Sequence, residues 1–520
     1  MVKQHFENLV PVDAEPVPWW NGWFPITDKP NDLTVSVFSR QTPPAVIARD
    51  ANHLDLFVVG NDGRIWTNWW ALGTNSNHWN GWFPITDNPN DRSVSVFSKQ
   101  TSPAVIARDA EDLDLFVVGN DGRIWTNWCG VAEVQYVPAS TRRVCQLTGD
   151  DDPEKLVHLN KTGKWGIGGT DMGIPVEHND RLYIFLGDVP SVEGKPNPND
   201  ADPIVFTTDT SPEPNGFEII PILKGGPDPS FKPFTYKGRK YLGTNETPTG
   251  AFSYNSRCYV FIITGNTEPV SYLTSSVDPA EDFDRHGVIS DNVGKFWQIT
   301  PWIVQNADWE GLPPATTGEG LLLWGNSYNQ VYLAWMPLDP GQHPPTGLKY
   351  FTGPGSTWCD EEQSAVPVFS TNGGTQLSVG WIREARRWVM LYTRASPGAP
   401  YESIVCRIGT TPWSWSDEIT LFNPVRDGAF TKYMHQPGKD DLNVGPPFRQ
   451  PSDWGWAYAP FLLNRYTKWE KDKPVVNIYY LISVNSPYQV MLMRSQLRFA
   501  NPSSEVQQEI RLPLTKSSQK

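Results

Sequence analysis

Short apolar runs separated by turn residues follow one another along most of the chain, and they predict strands rather than helices. From about residue 136, five clusters of such runs are divided by loops rich in proline, glycine and aspartate, such as residues 189–203 and 223–240. Each cluster begins with a strand of small residues and continues with an apolar hairpin, which predicts a five-bladed β-propeller. The predicted strands are IPVEH and RLYIFLGD in the first cluster, GAFSYN, CYVFIIT and KFWQI in the second, GLLLWG and VYLAWMP in the third, QLSVGWI, RWVMLYT and SIVCRIG in the fourth, and YAPFLL, VNIYYLIS and QVMLMRSQL in the last.

An internal repeat precedes these clusters. Residues 20–69 align without gaps with residues 79–128, at an offset of 59 residues, and the two copies differ at seven of 50 positions. Within each copy four runs read as short strands, which is typical of a propeller blade: SVSVFS (TVSVFS in the first copy), PAVIARD, LDLFVVG and RIWTNW. The sequence therefore predicts three parts: two tandem blade repeats at 1–135, a five-bladed propeller at 136–500, and a C-terminal strand and tail at 501–520.

Composition supports an all-β fold and narrows the class of partner. The 520 residues include 48 Pro, 42 Gly and 24 Trp, and only 19% are charged, which argues against helix bundles. No window approaches 18 uninterrupted apolar residues, so we predict no membrane span. A net charge of −14 argues against a nucleic-acid binder, because there is no basic excess to displace counterions. So many aromatic rings favour uncharged sugars as ligands, because the C–H faces of sugars stack on such rings. Tryptophans that fill β cores explain the composition equally well.

The segment WGIGGTDMG, followed by IPVEHNDRLYIFLGD, carries the candidate chemistry. Read as a hairpin that turns at Asn179-Asp180, it pairs residues whose numbers sum to 359. Asp171 then lies opposite Asp188, with Cβ atoms roughly 4.5–5.5 Å apart. Two like charges at this distance destabilise a sheet unless a proton or a cation lies between them. Such a pair serves glycoside hydrolysis, one carboxyl group as acid and the other as base or nucleophile. A Ca²⁺ site and two solvated loop aspartates are the alternatives.

Six short motifs occur along roughly residues 140–500: LTG (147–149), WGIGGTDMG (165–173), RLYIFLGD (181–188), PTGAF (248–252), RWVMLY (387–392) and YAPF (458–461). In this order they resemble the endo-D-arabinanase family, which was first catalogued as a domain of unknown function. The resemblance implies a five-bladed propeller that cleaves α-linked D-arabinofuranosyl chains of mycobacterial arabinogalactan and lipoarabinomannan. It also implies that Asp171 and Asp188 are catalytic. Family members usually carry Gly-Asp-Thr where this chain has Gly187-Asp188-Val189.

Further residues are candidates for substrate binding. Glu246 and Glu319 precede predicted inner strands, and the inner strands of a propeller direct residues into its central funnel. Trp165, Trp456 and Tyr458 lie near the same strand starts, where aromatic rings can form sugar platforms. A solvated loop for each carboxylate and core packing for each ring are the alternatives.

The N-terminal repeats share an AVIARD strand, an LDLFVVGNDGRIWT hairpin and, in the first copy, a trailing Trp-Trp pair. In these features they resemble the blades of propeller lectins related to the Photorhabdus fucose-binding lectin. The resemblance implies sugar contacts by Trp66, Trp69, Trp125 and Trp128. In the second copy Cys129 replaces the last tryptophan of the pair. Blades that pack on the rest of the chain, or that mediate oligomerisation, are the structural alternatives.

These patterns together predict a glycoside hydrolase that acts on a furanose polysaccharide through Asp171 and Asp188. The alternative is a non-catalytic lectin or adhesion protein built of propellers. Five scattered cysteines without a C-x-x-C pair predict no zinc site, and no motif predicts a cofactor, while a structural Ca²⁺ stays open. The arabinanase resemblance favours an extracellular protein, but residues 1–16 lack the apolar core of a secretory signal, so the compartment stays undecided.

Overall fold

The computed structural model describes residues 38–499, apart from 51–52, 62, 72–82, 86–96, 108–112, 130–133, 155–158, 191–199, 226–228, 239–240, 243–245, 266–269, 292–293, 310, 328, 354–356, 372, 374–375, 397, 443–449 and 471–472. The predicted tail at 501–520 lies outside the described residues. The described residues form β-strands and no α-helix, with short 3₁₀ helices at Gly163–Trp165, Asn306–Asp308 and Glu362–Ser364. The all-β prediction is therefore confirmed. No helix in the described ranges is long and apolar enough to cross a membrane.

The chain divides into two compact units, Met1–Ala132 and Glu133–Lys520. In the first unit, one sheet contains β1 (Ala45–Asp50), β2 (His53–Val59), β3 (Ile65–Ala71) and β4 (Phe83–Pro84), and the other contains β5 (Ala104–Ala107), β6 (Leu113–Val118) and β7 (Ile124–Cys129). The pairs Val58–Trp66 and Val117–Trp125 show that the two copies of the repeat have the same register. Both sheets contribute to one apolar core, in accord with a repeat that cannot bury its own face.

The first predicted strand of each repeat, SVSVFS, falls largely outside the described residues. Phe38 and Phe97, which the structure does describe, form isolated bridges to Gly60 and Gly119. The fourth strand of the first sheet is instead β4, which belongs to the second copy of the repeat and pairs with β3. The prediction of four strands in each copy stays a prediction, because its first strand lies largely outside the described residues.

The second unit begins with β8 (Val134–Tyr136) and β9 (Arg142–Gln146), and its described residues then form five antiparallel sheets in chain order. The first contains β10 (Asp171–His178), β11 (Arg181–Gly187), β12 (Ile204–Thr207) and β13 (Ile220–Pro221); the second β14 (Thr247–Tyr254), β15 (Arg257–Ile263), β16 (Ser271–Ser276) and β17 (Asp284–Ser290). The third contains β18 (Gln298–Gln305), β19 (Glu319–Ser327), β20 (Gln330–Pro337), β21 (Lys349–Phe351), β22 (Trp358–Cys359) and β23 (Pro367–Ser370). The fourth contains β24 (Leu377–Ile382), β25 (Arg387–Ala395), β26 (Glu402–Thr411), β27 (Ser414–Trp415) and β28 (Ile419–Phe422); the fifth β29 (Ala457–Leu462), β30 (Lys468–Trp469), β31 (Val475–Asn485) and β32 (Tyr488–Phe499).

The fifth sheet joins the two ends of this unit, because β8 and β9 both pair with β32. Each sheet also shares an apolar core with the next one, and the fifth shares a core with the first. A cavity of about 330 Å³ lies between the first strands of all five sheets. Its wall includes one or more residues from each of these strands, for example Ile174, Ala251, Trp302, Val379 and Leu462.

Prolines in the first strands explain one error of the sequence pattern. The pattern assigns KFWQI to the second cluster, but Gln298–Gln305 is the first strand of the third sheet and pairs with β19 along its whole length. Pro301 interrupts this apolar run and conceals the strand. The strand forms nevertheless, because a first strand has a paired neighbour on one side alone and a missing N–H can face away from the ladder.

Candidate active site

The hairpin β10–β11 has the predicted turn, and five pairs next to the turn follow the predicted register. A bulge then shifts the register by one residue, so that Asp171 lies opposite Gly187 rather than Asp188. The predicted direct opposition of the two aspartates is therefore wrong. The cause is one extra residue on β10, where Met172 (φ 59°) and Gly173 (φ 158°) both have positive φ.

A third aspartate, Asp202, lies across from Asp188. Beyond β11, a bridge between Val189 and Ala201 continues the pairing with the segment that leads into β12. At this bridge the backbone N–H of Asp188 donates to Asp202 Oδ1 at 3.4 Å. The negative charges of both Asp171 and Asp188 act on the Asp202 carboxyl group, so the three side chains form one cluster. The sequence pattern did not indicate Asp202, because the predicted hairpin contains β10 and β11 and not the third strand.

Two tyrosine hydroxyl groups stabilise the charged form of Asp171. Tyr458 Oη donates to Asp171 Oδ2 at 2.9 Å, and the nearby hydroxyl group of Tyr488 also lowers the pKa of this carboxyl group. Both tyrosines belong to the fifth sheet, Tyr458 in β29 and Tyr488 at the start of β32. The backbone fixes Tyr488, whose carbonyl oxygen accepts the N–H of Thr170 at 3.0 Å. Tyr458 was a predicted site residue, whereas Tyr488, more than 300 positions from Asp171, was missed.

One carboxyl oxygen of each aspartate is buried and has no hydrogen-bond partner among the described residues: Asp171 Oδ1, Asp188 Oδ1 and Asp202 Oδ2. Buried polar atoms in native proteins are nearly always paired, so these three atoms indicate a bound proton or a ligand. Asp202 is almost completely buried, while Asp171 and Asp188 are half-buried and remain accessible.

The pKa of every carboxyl group in the cluster is raised. Burial raises the pKa of Asp171 to about 6, although the hydroxyl groups of Tyr458 and Tyr488 act in the opposite direction. Burial, followed by the charges of Asp171 and Asp200, raises the pKa of Asp188 to about 7. Burial and the neighbouring Asp188 charge raise the pKa of Asp202 well above its usual range. Near neutral pH the cluster therefore holds protons, which relieves the repulsion between its like charges.

These shifts predict that the site costs stability at high pH. Because the folded pKa of Asp188 exceeds its unfolded pKa, the folded state binds more protons between about pH 4 and pH 7, and the free energy of unfolding falls as pH rises through this window. Raising the pKa of Asp188 by roughly three units lowers the free energy of unfolding at high pH by about 4 kcal/mol at most. We expect Asp188→Asn to be about 2–4 kcal/mol more stable than the wild type at pH 8 and equally stable at pH 4, as measured by urea unfolding. A stability difference that is the same at both pH values would contradict the raised pKa.

No group of three or more His, Cys, Asp or Glu side chains in the part of the chain that the structure describes has the arrangement of a metal site.

Two of the other predicted binding residues lie near the cluster. Glu246 is buried and directly precedes β14, whose first residue, Thr247, has its Oγ1 3.2 Å from the position that a Cβ on Gly187 would occupy. Trp456 is half-buried and lies two residues before Tyr458. Its backbone N–H donates to Asn485 Oδ1 at 2.6 Å, which holds this end of β29 in place.

The contacts of the other two predicted binding residues, Trp165 and Glu319, are with groups outside the aspartate cluster. The ring of Trp165 is covered by Lys164, whose Nζ lies 4.2 Å from the ring centre. Glu319 begins the second strand of the third sheet, opposite Gln305, and its charge acts on Tyr254 at the far end of β14 from Thr247. Its placement before an inner strand is therefore wrong, because β18 and not β19 is the first strand of this sheet.

The predicted sugar-contacting tryptophans lie on equivalent strands of the first unit. Trp66 and Trp69 are half-buried in β3. Trp125 packs against the apolar core, and its Nε1 donates to Asp121 Oδ1 at 3.2 Å. Trp128 lies in β7 opposite Asp114, and its side chain is outside the described residues. Packing against the apolar core explains why a tryptophan stands at position 125, and no sugar contact is needed to explain it.

The model of the family described as "Domain of unknown function (DUF4185)" matches residues 158–494. No curated protein matches the chain. Among solved structures, a glycosyl hydrolase from Bacteroides ovatus is 10% identical, with 70% of this chain and 96% of that chain covered and a TM-score of 0.38. An α-L-arabinofuranosidase from Podospora anserina is 10% identical over 70% of this chain and 99% of its own, with a TM-score of 0.36. The catalytic domain of a GH62 α-L-arabinofuranosidase from Coprinopsis cinerea is 11% identical over 71% and 99%, also with a TM-score of 0.36. TM-scores below 0.5 do not establish a common fold.

Proposed function

This chain belongs to the family described as a domain of unknown function (DUF4185), and we propose that it is a glycoside hydrolase that cleaves α-linked D-arabinofuranosyl polymers. The observation that carries the proposal is the cluster of three aspartates with raised pKa values and partnerless buried oxygens. Glycoside hydrolysis needs two carboxyl groups with different protonation states near neutral pH, and this cluster supplies them.

The proposal includes a five-bladed propeller as the scaffold of the site. Two observations support five blades: the five apolar cores link the sheets in a closed series, and β8 and β9 complete the last sheet. In such a scaffold the first strand of each sheet lines the central channel, as the cavity between these strands suggests. Asp171, at the start of β10, then lies at one mouth of the channel.

The different surroundings of the aspartates assign their roles. Asp188 has the higher pKa of the accessible pair, about 7, and keeps a proton that it donates to the leaving glycosidic oxygen. Asp171, with a pKa of about 6 and a hydrogen bond from Tyr458, is the carboxylate that acts as base on water or as nucleophile. Asp202 is a positioning residue, because its Oδ1 accepts the backbone N–H of Asp188, and burial together with the Asp188 charge raises its pKa so that it holds a proton near neutral pH.

The D-arabinofuranosyl substrate rests on the sequence resemblance and on where its motifs lie. Asp171 belongs to the GTDMG motif, Asp188 ends the RLYIFLGD motif, and Tyr458 begins the YAPF motif. The hydrogen bond from Tyr458 to Asp171 joins two of these motifs across 287 positions of the sequence. Residues quoted for the resemblance therefore contact one another at the candidate site, which supports the proposed substrate class.

The direct test is incubation of the full chain with mycobacterial D-arabinan and with a panel of other polysaccharides, including L-arabinan, galactan and mannan. Reducing ends and oligosaccharides are measured over time. We expect release from D-arabinan. Binding to glycans without release from any polymer would contradict hydrolysis and favour the non-catalytic lectin, and release from another polymer alone would contradict the substrate class.

Gly187 provides a test of how closely the site is packed. A Cβ at this position would lie 2.6 Å from Asp171 Oδ1 and 2.9 Å from Met172 Cγ, so Gly187→Ala must displace the Asp171 carboxylate. We expect about a 10- to 100-fold loss of kcat/KM on D-arabinan, since small displacements of catalytic groups have effects of this size. The control is Gly287→Ala in β17, where a Cβ would meet no atom within 4 Å. Equal activity of both variants would contradict the role of Asp171.

For the first unit we propose a supporting function, the attachment of the enzyme to glycan through Trp66 and Trp69. The lectin resemblance and the half-buried rings in β3 support this assignment. In the full chain, Trp66→Ala combined with Trp69→Ala is expected to weaken retention on insoluble arabinan-containing cell walls without changing kcat on soluble D-arabinan. Unchanged retention would favour a structural or oligomerisation role for this unit.

A further inference from the structure

A second cleft, of about 1310 Å³, lies in the third and fourth sheets, away from the aspartates. Two contacts show which end of β18 is near the aspartates. Thr247, at the start of β14, lies beside Gly187 and Asp171. Two residues further along β14, Thr249 Oγ1 accepts the N–H of Ile299, the second residue of β18, at 3.4 Å. The strand β18 therefore begins at the aspartate end. Its last residue, Gln305, lines the second cleft and lies roughly 20 Å from the strand start, at about 3.3 Å per residue.

Tryptophans form much of the wall of this cleft. Trp309 packs against Trp381 and Trp388 with ring centroids 5.0 and 5.2 Å apart, and the latter two are 5.1 Å from each other. Trp302 and Trp413 complete the aromatic lining. All except Trp388 are half-buried, so parts of their surfaces are accessible. Aromatic surfaces of this kind bind the C–H faces of sugar rings.

Two buried donors of the cleft wall indicate a missing partner. Trp388 is 1% exposed, and its indole Nε1 has no hydrogen-bond acceptor among the described residues. The hydroxyl group of Thr411, which also lines the cleft, is likewise buried without a partner in the described part of the chain. Core packing explains why tryptophans are present here, but it leaves these two polar groups unexplained, since buried donors are normally satisfied.

Arginines give the cleft a charge opposite to that of the whole chain. Arg383, Arg386 and Arg387 all line it, and the first two are exposed on the turn between β24 and β25. Asp308 also lines the cleft, while Glu384 lies on the same turn and Glu319 accepts a hydrogen bond from the lining residue Gln305. Among the lining residues, three guanidinium groups therefore stand against one carboxylate, although the net charge of the chain is −14. Guanidinium groups bind carboxylate and phosphate oxygens through two parallel hydrogen bonds.

We propose that this cleft is a non-catalytic binding site for an acidic glycan, a polysaccharide segment whose sugar units carry carboxylate or phosphate groups. The tryptophan surfaces bind the sugar rings, and Arg383 and Arg386 bind the anionic groups. The indole N–H of Trp388 and the hydroxyl group of Thr411 supply hydrogen bonds to hydroxyl groups of the sugar. The site is independent of the aspartate cluster and of the reaction proposed for it.

Affinity electrophoresis of the full chain tests the proposal. Native gels at pH 8 contain polygalacturonate as the carboxylate polymer, yeast phosphomannan as the phosphate polymer, or dextran as a neutral control. A chain with a net charge of −14 is repelled by both acidic polymers, so retardation requires a local site. We expect retardation by at least one acidic polymer, weakened by added NaCl, and none by dextran. The absence of retardation in both acidic gels would overturn the proposal, as would equal retardation in dextran.

Matched variants localise the effect. The double variant Arg383→Gln and Arg386→Gln removes two exposed charges from the cleft, and we expect at least a tenfold higher apparent Kd for the acidic polymer. The control variant Lys432→Gln and Lys439→Gln makes the same change in net charge at exposed positions outside the cleft lining, and it should bind as the wild type does. Equal weakening by both double variants would show a general charge effect and contradict the site. Asp188→Asn should leave binding unchanged whether or not the hydrolase proposal holds.

Discussion

Asp188→Asn is expected to lower kcat on D-arabinan by about 10²–10⁴-fold, because it removes the proton that the leaving oxygen needs. The side chain keeps its shape and loses a charge that the protein buries at a cost, so the variant should remain folded. Initial rates of reducing-end release, with urea unfolding as the check on folding, measure both effects. The control is Asp180→Asn, which changes an exposed aspartate at the turn of the same hairpin. It should retain wild-type activity.

The role of Asp188 as the acid is tested with leaving groups. A 4-nitrophenyl D-arabinofuranoside has a leaving group that departs without protonation. Asp188→Asn should therefore lose much less activity on this substrate than on D-arabinan. Equal losses on both substrates would contradict the assignment of the acid to Asp188.

Asp171→Asn is expected to lower kcat by a similar factor, about 10²–10⁴-fold, on both kinds of substrate, because the base or nucleophile is needed whatever the leaving group. In the wild type, activity should fall as pH drops through about 6, where Asp171 becomes protonated, and as it rises through about 7, where Asp188 loses its proton. These are apparent values of the coupled pair. A pH–rate profile of kcat/KM, measured with Asp180→Asn as control, should therefore be a narrow bell.

Tyr458→Phe separates the two limbs of this profile. The hydroxyl group of Tyr458 stabilises the charged form of Asp171, so its removal raises the pKa of Asp171 and moves the acidic limb to higher pH. The basic limb, which reports Asp188, should move less. A shift confined to the basic limb would reverse the proposed roles of the two aspartates.

The sequence predicted the hairpin that carries the site because local signals determine it. Asn179 and Asp180 both take positive φ at its turn, and the five pairs nearest the turn follow from that geometry. The bulge at Met172 and Gly173 was not predictable in this way, because nothing in an alternating apolar pattern marks an extra residue before the end of a strand. This is why the two aspartates were predicted to be in direct opposition although Asp171 faces Gly187.

Residues that act on the site from distant parts of the chain were harder to predict. Tyr488 reaches Asp171 only because the fifth sheet lies against the first, and that arrangement depends on cores such as the one shared by Ile184 and Leu481. Asp202 could have been found by continuing the register of β11 onto the third strand. Tyr458 was found because it stands in a motif of the resemblance, and its contact with Asp171 is a property of the folded chain.

Whether this chain hydrolyses D-arabinan through Asp171 and Asp188 is decided by time-resolved oligosaccharide release from the double variant Asp171→Asn and Asp188→Asn, with wild type and Asp180→Asn measured alongside. We expect release by the wild type and the control and none above background by the folded double variant. Release by the double variant at the wild-type rate would contradict this expectation.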